Sequence, residues 1–347
     1  MPVQRVISGE STGDVEEQVS LALRPRRLGE CIGQRQVIEQ LEIALAAARQ
    51  RREPLEHVLL DGPPGLGKTT LAHVIAHEMG VGDRLRITSG PAIAKQSDLM
   101  STLTNLEDGD VLFIDEVHRL SKTVEEFLYP AMEDFRVDFT LEGGVGGRTV
   151  SFRLKRFTLI GATTRAGMLS AAMRDRFGLR YHMEFYTTDE LREILRRSAR
   201  LLSLSSDDAA LDLLSARARG TPRVANRLLR RTRDYAQVCG DGALTASLVE
   251  KALEVQRIDR LGLDELDRAY LGALIRVYNG GPAGIEALAA TLAQERDTLE
   301  DVVEPYLLQI GFVTRTRQGR CATRAAYEHL GLAPPVASGE PSLFESH

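Results

Sequence analysis

Residues 57–79 read HVLLDGPPGLGKTTLAHVIAHEM. The stretch opens as an apolar strand, breaks at Gly62, and resumes after Gly67 with apolar residues at helical spacing. Between the two lies Gly62-Pro63-Pro64-Gly65-Leu66-Gly67-Lys68-Thr69-Thr70, which fits GxxxxGK[ST]. Glycines such as Gly65 and Gly67 let backbone amides turn inward on phosphates, and the helix start favours their negative charge. Lys68 is placed to reach the β and γ oxygens, and the Thr69 hydroxyl to ligate magnesium. A strand, a phosphate cradle and a helix in register predict an α/β fold built on a parallel sheet.

Working outward, DVLFIDE (110–116) and FTLIGATT (157–164) read as further buried strands, with a helix around Val124 to Glu133 between them. Apolar strands alternating with helices imply a sheet covered on both faces. The second strand ends in Asp115 and Glu116 at the edge where ligands of open α/β sheets bind. There Asp115 suits a magnesium site, and Glu116 suits a base that polarises the water attacking a γ-phosphate. His118 completes a DExH string and reads as a surface or hinge histidine. Thr163 and Thr164 bring hydroxyls to the same edge. Arg174 and Arg176, in MRDRFG, follow a short helical stretch from which an arginine could reach a neighbouring subunit's phosphates.

From Thr187 onward the pattern is almost purely helical. Thr187 and Glu190 form a capping box, and Thr221-Pro222 supplies an N-cap and a first-turn proline for TPRVANRLLRRTRDYAQV, with Arg223 just behind. A third unit begins near Leu261. It reads as a helix (264–278), a turn at Asn279-Gly280-Gly281-Pro282, a helix (284–295), a helix capped by Asp297 and Glu300, and a short hairpin around Gln318-Gly319. Helices closing on a basic hairpin are similar to a winged helix. Between Gly311 and Leu330 stand Arg315, Arg317, Arg320 and Arg324 against one acid, Glu328.

The 347 residues are enough for two or three domains, and 43% hydrophobic with 27% charged residues is ordinary for globular proteins. No stretch is long and apolar enough for a membrane span, and the N-terminus lacks a signal-peptide core. Cys31, Cys239 and Cys321 lie far apart, which predicts neither a disulfide framework nor a zinc site and suits the cytoplasm. A net charge of −5 argues against a protein coated in nucleic acid and says nothing about a local basic face. With no tryptophan and 5% aromatics, a base-stacking platform for single strands is not the main device.

Taken together, GPPGLGKTT, LFIDEVHRL, LIGATTR, MRDRFG and GTPRVANRLLRR resemble the AAA+ ATPases, and among them the RuvB-type motors of Holliday-junction branch migration. LRPRRLGECIGQ, EEFLYPAMEDF, the 279–312 segment and TRTRQGR extend the resemblance over nearly the whole chain. It implies an AAA+ P-loop sheet domain at 1–184, a helical lid at 185–258, a winged-helix DNA-binding domain at 259–335 and a disordered tail at 336–347. Lys68, Thr69 and Thr70 fall on Walker A, Asp115 and Glu116 on Walker B, Thr164 on sensor 1, Arg176 on the arginine finger and Arg223 on sensor 2. Leu23 and Arg24 match the segment against the base, and Tyr186, Glu133, Asp134 and Phe135 match further nucleotide positions. Arg315 and Arg320 match DNA-contacting arginines of the wing.

Residues 137–154 alternate as a β-hairpin with one apolar face, formed by Val137, Phe139, Leu141, Val150, Phe152 and Leu154 around a glycine-rich tip at 143–147. In the family such a hairpin docks RuvA. The resemblance further implies ATP and Mg2+, a homohexamer around double-stranded DNA at four-way junctions, RuvC in a resolvasome, and work in recombination and repair. Clamp loaders, the nearest alternative, end in an oligomerisation collar, where this chain has a basic wing.

Overall fold

The computed structural model describes residues 22–141 and 148–334, without the side chains of 139–149. The hairpin tip and the tail at 336–347 therefore lie outside the described residues. The chain divides into two compact units, one running to Ala252 and one from Leu253 onward.

The first unit is built on a five-stranded, all-parallel sheet in the order β2-β3-β6-β1-β7. Its strands are β1 (Val58–Asp61), β2 (Arg86–Ser89), β3 (Val111–Asp115), β6 (Thr158–Thr163) and β7 (Leu179–His182), while β4 (Arg136–Leu141) and β5 (Arg148–Arg153) pair separately as an antiparallel hairpin. Successive strand residues point to opposite faces, so β3 divides between two cores. Leu112 and Ile114 pack with Leu99, Leu103, Phe127 and Leu128 on one face. Val111 and Phe113 pack with Leu41, Leu45, Val74 and Ile75 on the other. Truncating one such leucine to alanine costs about 2–5 kcal/mol, which explains why the middle strands are uninterrupted apolar runs.

The lid helices Thr188–Leu201, Asp208–Ala216 and Pro222–Cys239 complete this unit. Both expected caps form: Thr187 and Glu190 bond reciprocally at 3.2 and 2.9 Å, and Thr221 Oγ1 accepts from the Val224 amide at 3.3 Å.

The second unit holds helices Glu265–Arg276 and Ile285–Leu292, a third helical stretch from Arg296 to Gln309, and an antiparallel wing of β8 (Val313–Thr316) and β9 (Gly319–Ala322). Tyr270, Leu271, Leu274, Leu288 and Leu307 form its core. Gly319 is required, because a Cβ there would stand 2.5 Å from the Ala283 carbonyl. The cap expected at Asp297 does not form: the helix begins at Arg296 with Glu295 at its N-cap and no side-chain bond. Glu300 accepts from Arg296 and Arg320, at 3.2 and 2.8 Å. The stretch then passes through a π turn at Leu299–Val303 before Glu304.

The hairpin forms with Val137 opposite Phe152 and Phe139 opposite Val150, so these positions share one face. Val137 lies in the core of the sheet domain, Leu154 packs against that core beyond the strand end, and Phe152 is 42% exposed. Its base anchors it to its own domain. Among the described residues no helix is long and apolar enough to cross a membrane, and the three cysteines are unpaired thiols.

Candidate active site

The loop after β1 turns through left-handed φ values at Gly62, Gly65 and Gly67 (135, 82 and 101°), conformations open to glycine at little steric cost. Lys68 starts the following helix and is almost wholly buried. Its Nζ donates to the Gly62 and Pro63 carbonyls at 2.7 and 2.9 Å. Burial pushes the ammonium down to about 8, against the pull of Glu116 and Asp115.

Opposite stands the end of β3. Burial and then the charge of Glu116 raise the Asp115 carboxyl above its ordinary value. Burial would raise Glu116 as well, yet a hydrogen bond and charge from His118, joined by Lys68, hold it below the usual range. Glu116 Oε2 accepts from the Thr164 hydroxyl at 3.2 Å and the Thr164 amide at 3.4 Å, and lies 3.2 Å from His118 Nδ1. That nitrogen is also 2.9 Å from Thr163 Oγ1, so His118 is a buried brace within the site, where its sequence suggested a surface or hinge position.

The lid closes directly on the loop. The Arg223 amide donates to the Gly65 carbonyl at 3.3 Å, and the Tyr186 hydroxyl donates to the Leu66 carbonyl at 3.2 Å. Leu23 and Arg24 supply another wall of the cleft. Gly65, Gly67, Lys68, Thr69, Thr70, Asp115, Glu116, Thr164, Tyr186 and Arg223 line it with them. The arrangement offers amides, the Lys68 ammonium and the Arg223 guanidinium to phosphate oxygens, with Arg24, Arg197 and Arg230 also on the walls and the Asp115 and Glu116 carboxylates beside them.

Family profiles match along the chain: the Holliday junction DNA helicase RuvB P-loop domain over residues 23–183, the RuvB AAA lid domain over 186–259, and the RuvB C-terminal winged helix domain over 260–331. The chain belongs to the RuvB family. A RuvB subunit of the Holliday junction branch migration complex from Kosmotoga olearia is 56% identical over 318 residues, 92% of each chain. One from Chloroflexus aurantiacus is 55% identical over 335 residues, 96% of this chain and 95% of the relative. The solved Thermotoga maritima RuvB branch migration motor superposes with a TM-score of 0.83 at 50% identity, over 90% of this chain and all of that one. The chain is thus an AAA+ P-loop ATPase, and the cleft is built around its P-loop.

Four positions that the RuvB resemblance assigned to nucleotide stand apart from this cleft. Arg176 donates to the Ala172 carbonyl at 2.7 Å, pairs with Glu133 at 3.1 Å and lies 4.0 Å over the Tyr129 ring. Asp134 pairs with Arg136 at 3.3 Å, and Phe135 packs on His57 and Phe157. Arg176, Glu133, Asp134 and Phe135 therefore form no part of the pocket of their own chain. Arg174 does not line it either.

Sequence reasoning missed the ties that hold the base-side wall. Arg197, on a lid helix, donates to the Leu23 carbonyl at 2.6 Å, and the Gln34 amide bonds the Glu184 backbone at 2.7 and 3.2 Å. These contacts join residues 174 and 150 positions apart, which no local motif signals.

The residues present also fit a magnesium ion. The Thr69 hydroxyl and the Asp115 carboxylate line the same cleft, and an oxygen set of this kind suits an ion that keeps water and shares the nucleotide's phosphates. Among the described residues no cluster of three His, Cys, Asp or Glu side chains could hold a metal unaided.

Proposed function

We propose that this chain is an ATP-driven motor that moves double-stranded DNA through a homohexamer and drives branch migration of four-way junctions with RuvA, alongside RuvC in recombination and repair. The observation that carries the reading is continuity. A phosphate-binding cleft, a lid bonded to its loop and a winged helix follow one another in a single chain that matches RuvB from residue 23 to residue 331.

In this reading Lys68, Thr69, Thr70 and Arg223 hold the phosphates, while Leu23, Arg24 and Tyr186 flank the base. Glu116, steadied by Thr164, takes the proton of the attacking water. Thr69 and Asp115 hold Mg2+, which supplies charge neutralisation at the phosphates. Arg176, with Glu133, Asp134 and Phe135, serves the neighbouring subunit's cleft, which accounts for their distance from their own. Arg315 and Arg320 contact DNA phosphates, so binding is sequence-independent and weakens with salt. Phe152 and Val150 of β5 meet RuvA, and the contacts expected of Phe139 and Leu141 lie outside the described side chains.

The test is a synthetic four-way junction incubated with ATP, magnesium and the protein, with and without RuvA. Separation into two duplexes that needs RuvA and is lost in Lys68→Ala is expected. Hydrolysis without any junction movement sinks the motor reading.

A further inference from the structure

The winged-helix unit buries a carboxylate completely. Glu304, 0% exposed, opens the helical turn after the π segment. Its Oε1 accepts from the Tyr270 hydroxyl at 2.7 Å and from Arg320 Nε at 2.9 Å. Its Oε2 accepts from Arg315 Nε at 2.7 Å and also meets Arg315 Nη2. Arg320 Nη2 lies 3.4 Å from the same oxygen and donates to Glu300 at 2.8 Å. A carboxylate removed from water stays ionised only where cations and donors replace its hydration, and here two guanidiniums and a phenol do so.

The two arginines come from facing strands: Arg315 of β8 is the register partner of Arg320 of β9. Both are gripped along the same edge, through Nε and Nη2, which leaves the Nη1 side of each for another acceptor. Their exposure differs. The Arg315 side chain is 47% exposed and that of Arg320 only 15%. Long cationic side chains lose rotamer freedom on binding a phosphate, and a guanidinium already fixed at one edge loses less.

We propose that Glu304, supported by Tyr270, is a positioning residue that holds Arg315 and Arg320 in phosphate-binding orientation, so that DNA binding by the wing depends on a buried acid. The inference rests on the reading of these arginines as DNA contacts. It also makes a prediction opposite to simple charge counting, because removing a negative charge near DNA should otherwise strengthen binding.

The experiment measures binding of the full-length protein to a fluorescent synthetic duplex across a salt series, for the wild type, Glu304→Gln, Tyr270→Phe and Arg315→Ala, with melting curves for each. Glu304→Gln is expected to bind at least about fivefold more weakly, with the salt slope reduced by about 1. Tyr270→Phe is expected to show a smaller loss in the same direction with its fold intact. Equal or tighter binding by a folded Glu304→Gln overturns the proposal. If that variant does not fold, unchanged affinity in Tyr270→Phe overturns it. Unchanged affinity in Arg315→Ala instead removes the DNA-contact reading beneath it, and is distinguishable because it leaves Glu304 untouched.

Discussion

The Thr164 hydroxyl and backbone amide converge on one oxygen of Glu116, at 3.2 and 3.4 Å. Glu116 itself sits in a left-handed backbone conformation, φ 48°, at the turn after β3. The carboxylate is thereby aimed by its neighbours, and its remaining oxygen is the one suited to a water proton. Glutamine retains an oxygen for Thr164 but is no base. Glu116→Gln should bind nucleotide normally in a fluorescence titration while phosphate release slows by about 100-fold or more. Wild-type turnover would remove Glu116 from that role.

Arg176 and Glu133 form a pair beyond the cleft of their own chain, the placement that the proposed subunit-shared site requires. Arg176→Ala should lose about 100-fold or more in turnover while retaining nucleotide binding. Mixing it with inactive Lys68→Ala subunits should restore part of the activity, since some boundaries then combine an intact loop with an intact arginine. Additive, unrestored activity at every mixing ratio would count against the shared site.

Arg197 ties the Leu23 carbonyl to the lid, so this wall of the cleft is held by a lid helix. A hydrogen bond from a charged donor contributes about 1.5–3 kcal/mol. Arg197→Ala should accordingly raise KM for ATP by about tenfold, with a smaller effect on kcat. A loss confined to kcat would contradict this assignment.

His57 is buried and makes two bonds: Nδ1 accepts from the Leu159 amide at 2.9 Å, and Nε2 donates to the Met132 carbonyl at 3.0 Å. Burial lowers its affinity for protons below the ordinary 6.5, more than the Met132 bond raises it. As pH falls through that value the unfolded chain takes the proton first. Stability from this contact is therefore complete above about 6.5 and lost below. Melting temperature should drop between about pH 7.5 and 5.5, and drop less in His57→Gln. Equal slopes for both proteins would exclude His57 as the cause.

Val137 and Phe152 are register partners on the hairpin with opposite fates. Val137→Ala should cost about 2 kcal/mol in chemical denaturation. Phe152→Ala should leave stability nearly unchanged and weaken RuvA binding in a pull-down with purified partner. Undiminished binding would move the docking surface elsewhere.

The central strands were legible because both of their faces are buried, which demands unbroken apolar runs such as Val111–Ile114. The edge strands were not. In β2 Arg86 and Ile87 are exposed, and β7 alternates Arg180 and His182 with buried Tyr181, so neither stands out from a loop at four residues. The phosphate loop and the acids of β3 could be read because their chemistry is contiguous in sequence. Arg197 and Gln34 could not, since their value comes from backbone atoms brought near by the fold. Glu304 is similar: nothing in VEPYLL distinguishes a buried acid from a surface one until the fold encloses it with Tyr270, Arg315 and Arg320.

The Gly65–Arg223 contact has a mechanical meaning apart from charge. It runs through the backbone amide of Arg223, so replacing the arginine side chain removes a positive charge from the cleft while the tie between lid and loop stays in place. Proline, which has no amide hydrogen, is the substitution that would cut this tie and leave the loop and the lid joined only through their remaining contacts.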